Sequence, residues 1–97
     1  MNVEIKGIHY SVSDETRKFI EKKLEHINYA KDHIIDLLFT ITKEKHGYVI
    51  DCNIHFRWGS SAHLSLESME LYEGIENFIH KLELKIRKEK EKISSHN

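Results

Sequence analysis

Proline is absent from this chain of 97 residues, cysteine occurs once, and glycine occurs four times. Without proline, no helix or strand is forced to break. The lone Cys52 excludes an intramolecular disulfide and suits a reducing compartment. No apolar run approaches membrane-spanning length. The opening Met1-Asn2-Val3-Glu4-Ile5-Lys6 does not resemble a signal peptide, so a cytoplasmic protein is expected. An excess of charge is missing too. The formal net charge is −1, so any nucleic-acid site must arise from local sorting of charge. There is no Gly-rich phosphate loop, no nucleophile elbow and no paired carboxylates suited to acid–base work. A non-enzymatic protein without a cofactor is expected.

What is present is enough to fold. Apolar residues make up 39% and charged residues 32%, which allows one domain with one core, placed at residues 1–93. Ser94-Ser95-His96-Asn97 reads as a disordered tail. Val3, Ile5 and Gly7 alternate with Asn2, Glu4 and Lys6, which predicts a first strand over 2–9. Ser13 is a good N-cap. Asp14 and Glu15 follow where acids favour the helix dipole, and Phe19, Ile20, Leu24 and Ile27 recur at helical spacing. The helix is placed at about 14–28. A second strand over 34–44 puts Ile35, Leu37, Phe39 and Ile41 on one face. Lys45-His46-Gly47 then makes a turn. In the third strand Tyr48, Ile50, Cys52, Ile54, Phe56 and Trp58 alternate with Val49, Asp51, Asn53, His55 and Arg57, the clearest period of two in the chain. Gly59-Ser60 turns into a fourth strand over 62–67. A long helix over 69–93 closes the chain. The order β-α-β-β-β-α predicts an α+β fold, a four-stranded, antiparallel-rich sheet with two helices packed on one face.

On the last helix Leu71, Ile75, Phe78, Ile79, Leu82, Ile86 and Ile93 gather in an arc about 100° wide. Lys81, Lys85, Lys88 and Lys92 follow at spacings of 4, 3 and 4, forming a narrow stripe along one edge of that arc. Glu76, Glu83 and Glu91 fall elsewhere on the wheel, and Glu89 falls within the apolar arc. Four lysines along roughly 16 Å of helix can track a phosphate backbone as point charges without reading bases. The plainer reading is a solvated flank, since the run interleaves with Glu83, Glu89 and Glu91. Lys23 falls inside the apolar arc of the first helix. It either snorkels past the core edge or emerges between the helices beside the stripe.

Eight histidines raise the question of metal. His55 and His63 should lie near each other on the open sheet face with Arg57 beside them. Two histidines without a third ligand make a poor zinc site, so no metal is expected. These residues offer either a supplementary phosphate contact or an ordinary wet face. Cys52 points inward as an inert thiol, and Trp58 is expected to be partly exposed.

The ordered set of residues resembles the short ribosome hibernation promoting factors, a family that includes ribosome-associated inhibitor A and has been labelled σ54 modulation protein or S30EA-type ribosomal protein. The resemblance rests on His63-Leu64-Ser65-Leu66-Glu67, then Glu70-Leu71-Tyr72, Ile75-Glu76, Ile79-His80-Lys81-Leu82 and the Lys-rich helix end. Ile5-Lys6-Gly7 and Ser13 with Arg17, Phe19 and Lys23 extend it over nearly the whole chain. Glu70 stands where Asp is typical, and Leu84 where relatives often place arginine. The resemblance implies docking on the small (30S) subunit and the 70S ribosome, in the decoding region where mRNA and tRNA would lie, with contacts to 16S rRNA. It implies inhibition of translation under stress or in stationary phase and pairing of inactive 70S ribosomes. By position, Lys23, Lys81, Lys85, Lys88 and Lys92 are carried over as rRNA contacts. Tyr72 matches the family tyrosine, which either stacks at the surface or closes the core. A free monomer is expected. The rival functions are a protein-binding transcription or σ-factor modulator and a general double-stranded RNA-binding module.

Overall fold

A computed structural model describes residues 1–94. Residues 95–97 of the expected tail lie outside the described residues, while Ser94 belongs to the last helix. The elements are β1 (Asn2–Ile8), α1 (Asp14–Leu24), a 3-10 helix (Glu25–Ala30), β2 (Ile34–Glu44), β3 (Gly47–Phe56), β4 (Ser61–Ser68) and α2 (Leu71–Ser94). The sheet runs in the order β1-β2-β3-β4. β1 lies parallel to β2, joined to it through α1, and the other two pairings are antiparallel.

Alternation along the strands puts one row of apolar side chains under both helices. Ile5, Leu37, Phe39, Ile41, Ile50, Cys52 and Ile54 form one cluster with Ile20 and Leu24 of α1 and with Ile75, Phe78, Ile79, Leu82 and Ile86 of α2. The Phe39 and Phe78 rings meet edge to face at 6.0 Å. Such ring contacts add to the burial that drives the packing. Gly74 lets α2 approach closely, because a Cβ there would lie 2.6 Å from the Ser68 Cβ.

Four expectations need correction. Helix α1 ends at Leu24, and the chain tightens into the 3-10 helix. At Ile27 the backbone leaves helical geometry (φ −113°, ψ 16°) and kinks the segment, and Leu24, Ile27 and Ala30 are all buried, at that kink and on either side of it. In β2 a register shift between Ile34 and Asp36 buries Ile34 and turns Ile35 outward, so Ile35 is not on the core face. β3 stops at Phe56. Trp58 sits in the following turn, half-buried, stacked on Phe56 at 4.8 Å and donating from Nε1 to Ser60 Oγ at 2.8 Å. Ile93 is 44% exposed, because α2 outruns the core it covers.

Burial pushes the Cys52 thiol up to about 12, with the neighbouring Asp51 carboxylate adding to the rise. That leaves roughly a thousandfold less thiolate at neutral pH than an exposed cysteine would hold. The native protein is therefore expected to resist a disulfide reagent such as dithionitrobenzoate and to release one thiol per chain only in denaturant. Prompt reaction of the native protein would contradict this packing.

Candidate nucleic-acid interface

Helix α2 presses its apolar arc onto the sheet, and this leaves two separate flanks. One flank looks over the edge strand β4. There Lys81 Nζ donates to the Ser65 carbonyl at 2.8 Å, which holds the start of the lysine stripe against the sheet edge. Lys85 and Lys92 both reach Glu89, at 3.1 and 3.2 Å. The Glu89 side chain is only 14% exposed. A hydrogen bond from Lys85, followed by that from Lys92, holds its carboxyl below the usual carboxylate range against the opposing effect of burial. Lys88 is exposed and has no hydrogen bond or ion pair among the described residues.

The other flank of α2 faces α1 and the 3-10 helix. Tyr72 stacks on Phe19 at 4.7 Å, and Arg87 donates to the Tyr29 hydroxyl at 3.3 Å and to Glu83 at 2.8 Å. Lys23 lies here, 3.1 Å from Glu76 and 5.4 Å above the Phe19 ring. It does emerge between the helices, but not beside the lysine stripe. Its partner Glu76 is five residues before Lys81, about 140° around the helix. The apolar arc and the body of α2 separate the two sets of cations.

Tyr72 is committed at both ends. Its ring rests on Phe19, and its hydroxyl meets Thr16 Oγ1 at 3.3 Å. Thr16 is buried, and its hydroxyl also meets Tyr10 at 3.0 Å and accepts from Ser13 Oγ at 3.0 Å. The Ser13 hydroxyl in turn accepts from the Thr16 backbone N–H, capping α1. This hub ties the start of α1 to the start of α2. Of the two readings of Tyr72, closing the core edge is the one its contacts describe.

Arg57 lies at a third place. It follows the end of β3, and its Nε donates to the Asp32 carbonyl at 2.8 Å. His55 and His63 lie on the open sheet face, each beside an acid: His55 is 3.7 Å from Asp36 and His63 is 3.2 Å from Asp51. Strand register puts Glu4, Lys6, Asp36, Asp51 and Glu67 on that same face, so carboxylates outnumber lysine there. Such a face disfavours phosphate. Among the described residues, no group of three or more His, Cys, Asp or Glu side chains is placed to hold a metal ion, and no helix is long and apolar enough to cross a membrane.

The seven sequence-derived candidates thus separate into the stripe (Lys81, Lys85, Lys88, Lys92), the inter-helix groove (Lys23, Tyr72) and the far strand end (Arg57). Sequence reasoning missed Arg87 and Thr16. Glu83 four residues before Arg87 was a visible signal, whereas the Tyr29 contact is tertiary. Thr16 follows its cap by three residues, a local hint that does not foretell burial.

Comparison with known proteins gives a consistent set. The model of a family described as sigma 54 modulation protein / S30EA ribosomal protein matches residues 3–94. A ribosome hibernation promoting factor of Klebsiella oxytoca is 27% identical over 96 residues, covering 99% of this chain and all of that protein. Its namesake from Escherichia coli K12 is 26% identical over the same span. Among solved structures, a ribosomal subunit interface protein from Coxiella burnetii superposes with a TM-score of 0.85 at 28% identity, over 93% of this chain and 98% of that one. The N-terminal domain of Thermus thermophilus Protein Y shares the fold, with a TM-score of 0.79 at 19% identity over 91% and 98% of the two chains.

Removing the buried Thr16 hydroxyl leaves three hydroxyl groups short of a partner. Thr16→Val is expected to cost roughly 1–3 kcal/mol, read by urea unfolding of the Trp58 fluorescence. Tyr72→Phe keeps the ring stack and loses one bond, so it should cost less. An unchanged urea midpoint in the valine variant would remove the hub as a source of stability.

Proposed function

The chain belongs to the sigma 54 modulation protein / S30EA ribosomal protein family, and from that membership we propose that it is a ribosome hibernation factor. The family is one of ribosome-associated factors, not of enzymes. Relatives aligned along their whole length carry the hibernation name. The proposed action is occlusion: the domain docks on the 30S subunit in the decoding region, contacts 16S rRNA and occupies the space that mRNA and tRNA need. Translation is thereby silenced in stress or stationary phase, and inactive 70S particles pair.

The observation that carries this reading is the lysine stripe on the outer flank of α2, set apart from the acidic sheet face. Lys81, Lys85, Lys88 and Lys92 are the proposed phosphate contacts on that flank. Lys23 serves the opposite flank, with Tyr72 as its support, and Arg57 is a peripheral contact. Cations on both flanks of one helix suit a cleft lined by RNA on two sides, where phosphates approach from either wall. A monomer is sufficient for this docking.

Co-sedimentation with purified 30S subunits across a salt series tests the reading. Wild-type protein is expected to bind with affinity that falls as salt rises. Lys85→Glu with Lys88→Glu should weaken binding at least about tenfold and flatten the salt dependence by about two contacts. Undiminished binding by that double variant would refute the stripe as the site. Equal affinity for any RNA duplex would favour a general double-stranded RNA-binding module. A protein partner retained after nuclease treatment, independent of the stripe, would favour a σ-factor or other protein modulator.

A further inference from the structure

The proposed docking leaves the placement of Glu89 on α2 without a role. It occupies the apolar arc near the helix end, its side chain is 14% exposed, and it holds Lys85 and Lys92 at once. Those two lysines are half of the stripe. Resting on the reading of the stripe as the RNA site, we infer that Glu89 is a specificity-determining residue: an internal stand-in for phosphate that favours RNA presenting two suitably spaced phosphates.

Lys85 and Lys92 are seven residues apart, roughly 10 Å along the helix. A ligand that reaches only one of them leaves Glu89 bound to the other. The carboxylate then stays beside the incoming phosphate and repels it. A ligand that meets both lysines together replaces both of the partners of Glu89, and the carboxylate can turn to solvent. A folded duplex offers such phosphates in a fixed array. A flexible single strand must be ordered to do so, at a cost in conformational entropy. Ion pairs at the surface whose lysines stay partly solvated, as Lys85 and Lys92 do, are weak enough to be exchanged and strong enough to bias the choice.

The lysines facing Glu89 are also local in effect. Glu83, on the same helix, pairs with Arg87 on the opposite flank. It supplies a control of equal charge with no part in the stripe.

Fluorescence anisotropy with a labelled RNA hairpin and a labelled oligouridylate of equal length tests the idea on the full chain. Glu89→Gln is expected to bind the oligouridylate roughly three- to tenfold more tightly and the hairpin less so, which narrows the preference for duplex. Its salt dependence should steepen by about one contact. Glu83→Gln should leave both affinities and their ratio nearly unchanged. Equal gains from Glu83→Gln and Glu89→Gln would overturn the inference, because net charge alone would then explain them. An unchanged duplex preference in Glu89→Gln would overturn it as well. If Lys88→Glu weakens binding while Glu89→Gln changes nothing, the stripe stands and the gate falls. If Lys88→Glu and Lys85→Glu together change nothing, the stripe itself falls. Matching circular dichroism melts for the Gln variants show that neither result comes from misfolding.

Discussion

Every charged surface of this protein is placed by the burial of one sheet face under two helices. Period-two alternation gives each strand one apolar side, and hydrophobic burial commits that side to α1 and α2. A helix that gives one arc to the sheet has two flanks left. One flank of α2 meets α1, and the other overhangs β4, an edge strand with no strand beyond it among the described residues. Lysines on that overhang do not compete with a packed partner for space. The same geometry leaves the opposite sheet face open to water and to its carboxylates. A chain with a net charge of −1 thus carries a basic flank and an acidic face without contradiction.

Much of this could be read from the chain, for reasons that differ by element. β3 was legible because five apolar residues, Tyr48 to Phe56, alternate within it without interruption. β2 was harder, since Ile34 and Ile35 are adjacent and identical, and only pairing with β3 decides which of them faces the core. The end of α1 after Leu24 was hidden because Ile27 keeps helical spacing from Leu24 in the sequence although its backbone kinks. Ile93 belonged to the right arc, but the arc says nothing of where the core ends. The stripe of α2 was found from spacing alone. Which flank α1 would occupy is not written in α2, so the helical spacing of α1 leaves open whether Lys23 meets the stripe, and only the packing puts it on the other side.

The inter-helix contacts also explain why a tyrosine can be mistaken for a surface reader. Tyr72 is 37% exposed, yet its ring and hydroxyl are both engaged. Partial exposure here reflects the rim of the core rather than availability. The hydroxyl hub at Thr16 satisfies its polar groups within the protein, consistent with the absence of unpartnered buried side-chain polar atoms among the described residues. Polar chemistry at this end of the molecule is structural. At the other end of α2, beyond the last buried isoleucine at position 86, it is directed outward.

That same overhang of α2 has a hydrodynamic consequence. The molecule measures 47 by 22 by 19 Å, with a radius of gyration of 13.6 Å. A compact chain of this length would have a radius of gyration of about 12.5 Å. A single copy therefore drags more solvent than its mass suggests, sediments slowly and elutes early from a sizing column. Judged against globular standards, one copy of this chain would pass for something larger, so its oligomeric state is better weighed by light scattering than inferred from elution.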